Sequence, residues 1–304
     1  GVYVVCESWL SEASTNETRG KTLSLYVIVQ MLGVLLGQFL LNFADPSTFV
    51  LFAFISILVS ISFAPILLSV APAPPFSTTK LMSIVNLYSV SPLGVVSSFL
   101  LGGIMSTLAG MSPIYGTELR FSVSEISAIV GASFASGMIL QYPVGWLSDR
   151  VDRRLLIICM ALICSTGILF SQFLSVTFPT VFCVFILCGG MSWPMYSLVI
   201  AYTNDFVEPE SFAATSGGLL FLAGISAAIA PIIIGPLMSF FGPKAFFLSL
   251  GFLHMIIAAY GIYRVGQRSN KELEATTTFT TIMPQSTAVS IETAQEIAID
   301  GQNN

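Results

Sequence analysis

Charge is what this sequence has least of. Only 9% of its 304 residues are Asp, Glu, Lys or Arg, while 55% are apolar. A water-soluble domain carries about 25% charged residues, so this chain has too little polar surface to cover a globule in water and must be solvated by lipid. Histidine is nearly missing, with His254 alone, and the five cysteines (Cys6, Cys159, Cys164, Cys183, Cys188) show no paired ligand spacing. That pattern argues against a metal site and a secreted disulfide framework, and leaves the cysteines as small apolar packing residues. No phosphate-cradling Gly-rich loop, nucleophile elbow or catalytic constellation occurs, which argues against an ATP-driven pump and against an enzyme. No cofactor is implied. Lys and Arg number 11, too few and too scattered for nucleic-acid binding.

What the chain does have is long apolar runs. About 20 mainly apolar residues are needed to cross the hydrocarbon core as a helix. Stretches near 19–43, 48–71, 93–116, 123–147, 153–175, 178–203, 212–240 and 243–266 meet that length. They are continuous and twice as long as the alternating strands of a barrel, so the expected fold class is all-α integral membrane. The chain opens in a further apolar stretch, 1–10, read as the end of a ninth span with more helices expected before it. Asp45-Pro46 and Gly242-Pro243 break neighbouring runs, and Ser122-Val-Ser-Glu125 has the capping-box pattern of a helix start.

Basic residues set the orientation. Alternating the loops puts Arg19, Lys21, Lys80, Arg150, Arg153, Arg154, Arg264, Arg268 and Lys271 on one side and only Arg120 and Lys244 on the other. The first side is expected to be cytoplasmic, in a multi-pass plasma (inner) membrane protein whose C-terminal tail faces the cytoplasm. Four segments follow. Residues 1–71 are the remnant of an N-terminal transmembrane bundle, and 72–92 are a Pro-rich cytoplasmic linker. Residues 93–266 form a six-helix bundle, and 267–304 are a polar tail expected to be disordered. Within the linker Leu81, Ile84, Val85 and Tyr88 have amphipathic helical spacing.

One loop is more specific than a boundary. Gly145-Trp-Leu-Ser-Asp149-Arg150-Val-Asp152-Arg153-Arg154 places five charges in six residues between two apolar helices. A plain topological anchor would account for the charge. The order of residues resembles the loop motif of the major facilitator superfamily, Gly-x-x-x-Asp-Arg-x-Gly-Arg-Arg, with Asp152 where the pattern has Gly. Val5-Cys-Glu7-Ser-Trp9-Leu10, Gln141-Tyr-Pro143-Val-Gly145 and Gly189-Gly-Met-Ser-Trp-Pro194-Met-Tyr196-Ser197 resemble bacterial members of the YcaD type. The resemblance covers roughly residues 1–266. It implies a complete C-terminal six-helix bundle of that fold, with about two and a half helices of the N-terminal one.

The resemblance further implies a cytoplasmic gate made of Gly145, Asp149, Arg150, Asp152, Arg153 and Arg154. Asp149 would face the start of a neighbouring helix near Phe212, and the arginines would pair with carboxylates or lipid headgroups. Helices lining a central cavity would correspond to the end of the span before 11, to 93–116 and to 178–203.

Candidate cavity or coupling residues are Glu7, Gln30, Gln38, Gln141, Trp193, Tyr196, Ser197 and Tyr202. Glu7 and the glutamines are expensive polar groups inside apolar sequence; the residues of 178–203 offer aromatic faces and hydroxyls. Gly189, Gly190 and Pro194 are a candidate hinge, because Pro removes an intrahelical bond. Gly33 and Gly37 form a small-xxx-small pair suited to close helix packing. His254 is expected to be a hydrogen-bonded structural residue rather than a proton relay.

The expected function is a secondary active transporter moving a small solute by alternating access, as a monomer in the bilayer, with proton coupling through Glu7 left open. The alternatives are a non-transporting sensor or scaffold on the same fold, or an inert fragment of a transporter.

Overall fold

Helix boundaries follow local chemistry closely. The computed structural model describes residues 16–67, 82–207 and 211–267, in which the chain forms ten helices and no strand. These are α1 (Asn16–Leu40), α2 (Val50–Leu67), α3 (Ile84–Val90), α4 (Pro92–Gly110), α5 (Ser112–Glu118), α6 (Val123–Ser148), α7 (Arg153–Ser171), α8 (Phe178–Asn204), α9 (Phe212–Phe241) and α10 (Lys244–Val265). Asp45 closes the turn after α1: its Oδ1 accepts from Ser47 N at 2.9 Å and Ser47 Oγ at 2.8 Å. Those bonds, the backbone one foremost, hold its carboxyl below the usual range. Ser122 and Glu125 form the expected reciprocal capping box at the start of α6, with Ser122 N donating to Glu125 Oε2 at 2.8 Å. Gly242 ends α9 at φ +79°, where a side chain would be strained.

Six helices, α4 and α6–α10, are long and apolar enough to cross a membrane. One expectation needs correction. The run 93–116 is not one helix: it divides at Met111 into α4 and α5, because Pro113 has no N–H to continue the helical ladder. The linker stripe at Ile84, Val85 and Tyr88 is exposed, and the residue that anchors α3 is Leu87, which is fully buried. Ser83 caps this helix and Met82 N donates to Ala214 O at 3.2 Å, so α3 is tied to the start of α9. Residues 1–15, the rest of the linker and the tail 268–304 lie outside the described residues.

The bundle is built from three tightly crossed pairs: α6 with α8, α4 with α9, and α7 with α10. Small residues let backbones approach at each crossing, and at two of them, α4 with α9 and α7 with α10, a serine donates across to a carbonyl. A methyl group on Gly102 would overlap the backbone of Ala223, while Ser98 Oγ and Ser106 Oγ donate to Leu219 O at 2.9 Å and Ala227 O at 2.7 Å. A methyl on Gly251 or Gly261 would press on Ile168 or Ile158 of α7, and Ser165 Oγ donates to Gly251 O at 2.9 Å. Helix α8 also packs against α7 and α4 and is the central element, with Ser192 through Asp205 buried without interruption.

Candidate functional site

The charged loop between α6 and α7 folds into a compact network whose centre is Arg153. Its side chain is only 2% exposed, and it is held by directed bonds to both flanking elements. Nη1 donates to Asp205 Oδ1 at 2.8 Å, Nη2 to Asp149 Oδ1 at 3.2 Å, and Nε to Ser148 Oγ at 3.0 Å. Asp205 is itself 4% exposed and sits at the C-cap of α8. Two charges this deep persist because each satisfies the other; removing one would strand its partner in a poorly solvated site.

Asp152 gives the family-pattern departure a local role. Its backbone keeps φ at −58°, so the turn needs no glycine. Its Oδ1 accepts from Arg154 N at 2.9 Å as the N-cap of α7, and its Oδ2 pairs with Arg154 Nη2 at 3.3 Å. Arg150 points elsewhere: its guanidinium lies 4.1 Å from the centre of the Trp146 ring and donates to Trp146 O at 2.9 Å. Gly145 is buried on α6, and its carbonyl accepts from Asp149 N at 3.2 Å.

A second cluster lies where α6 crosses α8. Buried Gln141 donates from Nε2 to Ser197 Oγ at 3.0 Å. Trp193 stacks on Phe134 with centroids 4.6 Å apart and donates from Nε1 to Ser133 Oγ at 3.4 Å. Its indole occupies the space over Gly137, where a methyl group would come within 2.6 Å of Cδ1. Tyr196 is wholly buried, and its hydroxyl has no hydrogen-bond partner among the described residues. Tyr202 is buried near the end of α8 and meets Phe206 edge-on at 5.1 Å. Gly189 and Gly190 face α6, where a methyl on the first would overlap Ser133 O and one on the second would approach Leu140 Cδ1 to 2.7 Å. Both lie within the single helix that runs through Pro194.

The remaining expected residues sit apart. Gln30 and Gln38 are half-buried on α1, which packs along α6; Gln30 Nε2 has no hydrogen-bond partner among the described residues, and Gln38 lies over Gly131. Glu7 lies outside the described residues. His254 is fully buried: Nδ1 donates to Leu250 O at 2.8 Å, a carbonyl that can only accept, so Nε2 accepts from Ser192 Oγ at 3.1 Å. It is bonded as a structural residue, joining α10 to α8.

Sequence reasoning gave Asp205 no functional role, although Asn204-Asp205 ends the stretch from Gly189 that resembles the family. Its other signal is a carboxylate directly ending an apolar run with no basic residue within four positions, so that its partner had to come from elsewhere in the fold.

The Major Facilitator Superfamily profile matches residues 94–290. Among curated proteins, the chain is 22% identical over 261 residues to the uncharacterized MFS-type transporter YcaD of Escherichia fergusonii, covering 84% of this chain and 67% of that protein. It is 28% identical over 239 residues to the uncharacterized MFS-type transporter YfkF of Bacillus subtilis, covering 76% of this chain and 59% of that protein. The chain therefore matches about two thirds or less of the length of these relatives. No solved structure matches it.

Proposed function

The chain belongs to the major facilitator superfamily, and from that premise we propose that it is the larger part of a secondary active transporter that moves a small solute by alternating access. The observation that carries this reading is the buried pair of Arg153 and Asp205, with the exposed Asp149 as a further partner of Arg153, which joins the loop between α6 and α7 to the end of α8. A bond set of this kind is intact or broken, with little between, which suits a latch separating two states of a moving bundle. A plain membrane anchor would need the charges but not their burial.

In this reading the Arg153 side is cytoplasmic, as the bias of basic residues indicates. Asp149 faces the start of α9 near Phe212 when the latch is closed, and Asp152, Arg154 and Arg150 shape the loop around it. The cavity lies between this bundle and its N-terminal counterpart, of which α1 and α2 are part. Its polar contacts are sought first at Gln30 and Tyr196, which carry buried polar atoms without partners among the described residues. Gln38, Gln141, Ser197, Trp193 and Tyr202 stand next to them. Pro194 with Gly189 and Gly190 is the proposed hinge, and Glu7 the proposed proton carrier.

The test is solute flux into proteoliposomes with the protein carrying its complete N-terminal bundle. Gradient-driven uptake that Asp149→Asn slows at least tenfold, with folding unchanged, supports the latch. Absence of flux for every solute class under proton, sodium and solute gradients, in a folded protein, overturns the transporter reading.

A further inference from the structure

At the end of the bundle away from Arg153, a groove of about 470 Å³ runs between α7 and α8. Gly167, Phe170, Leu174, Pro179, Cys183 and Leu187 form most of its wall. That volume lies within the roughly 300–1,000 Å³ of small-molecule sites. At one edge of the groove Leu187 lies directly against Gly167, where a methyl would overlap its Cδ2. The groove's two hydroxyls are turned away from it chemically. Ser171 Oγ donates to Ile168 O at 2.6 Å, and Thr180 Oγ1 shares a 3.0 Å bond with Thr177 Oγ1. What remains is an almost wholly apolar slot.

A smaller cleft continues from it, sharing Ser171, Thr180 and Val184 and adding Gln172 and Lys244. The Gln172 amide is engaged by Ser171 Oγ at 3.2 Å and Ile168 O at 3.4 Å. Lys244 is exposed and has no ion pair among the described residues. Its charge does nothing for α10, since a cation at the first position of a helix opposes the helix dipole. An apolar slot ending at an unengaged cation is complementary to an anionic amphiphile, and in a membrane the abundant one is phospholipid.

We propose that this groove holds one acyl chain of an anionic phospholipid whose phosphate is bound by Lys244, in the leaflet opposite the charged loop. The ammonium reaches the headgroup level while its stem lies along apolar surface. The inference rests on membrane insertion alone and stands or falls separately from transport.

Native mass spectrometry of the intact protein, released from micelles holding equal phosphatidylglycerol and phosphatidylcholine, tests it. One phosphatidylglycerol should be retained in preference, and Lys244→Gln should cut that preference about fivefold, the effect of one basic residue near an anionic lipid surface. Lys244→Arg should preserve it. Cys183→Trp, which fills the slot, should lower retention of both lipids; because that variant could misfold, the charge variants are decisive by themselves. Equal retention of the two lipids by the native protein overturns the proposal, as does a Lys244→Gln variant that behaves like the parent. Retention of free oleate in place of phosphatidylglycerol overturns it too, assigning the groove to a fatty acid.

Discussion

Helices α2 and α4 are nearly equal in length and both strongly apolar, yet against the described residues one is exposed and the other is core. Every residue from 52 to 64 of α2 is exposed, whereas Leu101, Ile104 and Leu108 of α4 are buried to within 1%. Their serines show the difference. In α2, Ser56, Ser60 and Ser62 donate to carbonyls of their own helix, Phe52, Ser56 and Val59, at 2.7–2.9 Å. In α4, Ser98 and Ser106 donate to α9, at 2.9 and 2.7 Å. Apolar residues gain little by leaving lipid for protein, so hydrophobicity alone does not select a partner. Small residues and polar bonds across helices do.

The largest effect should come from breaking the charge network that closes one end of the packed region. Asp205→Ala leaves Arg153 buried without its buried carboxylate partner, with only the exposed Asp149 to offset the charge, and should cost up to about 3 kcal/mol. The check is a drop in thermal unfolding temperature in detergent, with Arg150→Ala as a control of little effect because that side chain lies outside the network. An unchanged melting point for Asp205→Ala would mean that the network does not hold this end together.

Glycine substitutions sharpen the contrast between regions. Gly102→Val and Gly189→Val each force a side chain into a neighbouring backbone and should destabilise by about 1–3 kcal/mol or more. On α1, a methyl at Gly33 or Gly37 meets no described atom within 4 Å, so Gly33→Ala should stabilise the helix by up to about 1 kcal/mol. Comparing the unfolding of the variants separates the two regions; equal losses at Gly33 and Gly102 would show that α1 is as tightly packed as α4.

The smallest effect concerns one bond. Gln141→Leu removes the link to Ser197 between α6 and α8, and bonds of this kind in membrane bundles average about 0.6 kcal/mol. A double-mutant cycle with Ser197→Ala should return a coupling of that order. A coupling near zero would place the importance of Gln141 elsewhere, in the cavity rather than in packing.

The three crossings also explain why some readings of the sequence held and others did not. Among the described residues six of the eight expected spans are present at full membrane-crossing length, the capping box is formed, and His254 is hydrogen-bonded as expected. Each of those depends on neighbours in sequence, or on a buried polar group's need for any partner at all. Gly33 and Gly37 have the spacing for close packing but meet no described atom within 4 Å, whereas Gly102, Gly189 and Gly261 are close approaches among the described helices. Spacing alone does not say which face meets another helix. The pairing of Asp205 with Arg153 was illegible for the same reason, the two lying 52 positions apart.

The sequence by itself determined that this protein is helical and spans a membrane, because a scarcity of charge and runs of 20 apolar residues admit no other solvent and no other backbone hydrogen bonding. It also placed the ends of most helices, through prolines, caps and the charged loop. Which helices cross, which serines reach a neighbour, and which carboxylate receives Arg153 were decided only in three dimensions. In lipid the apolar residues of every span look alike, and only the tertiary arrangement brings the few polar and small ones together.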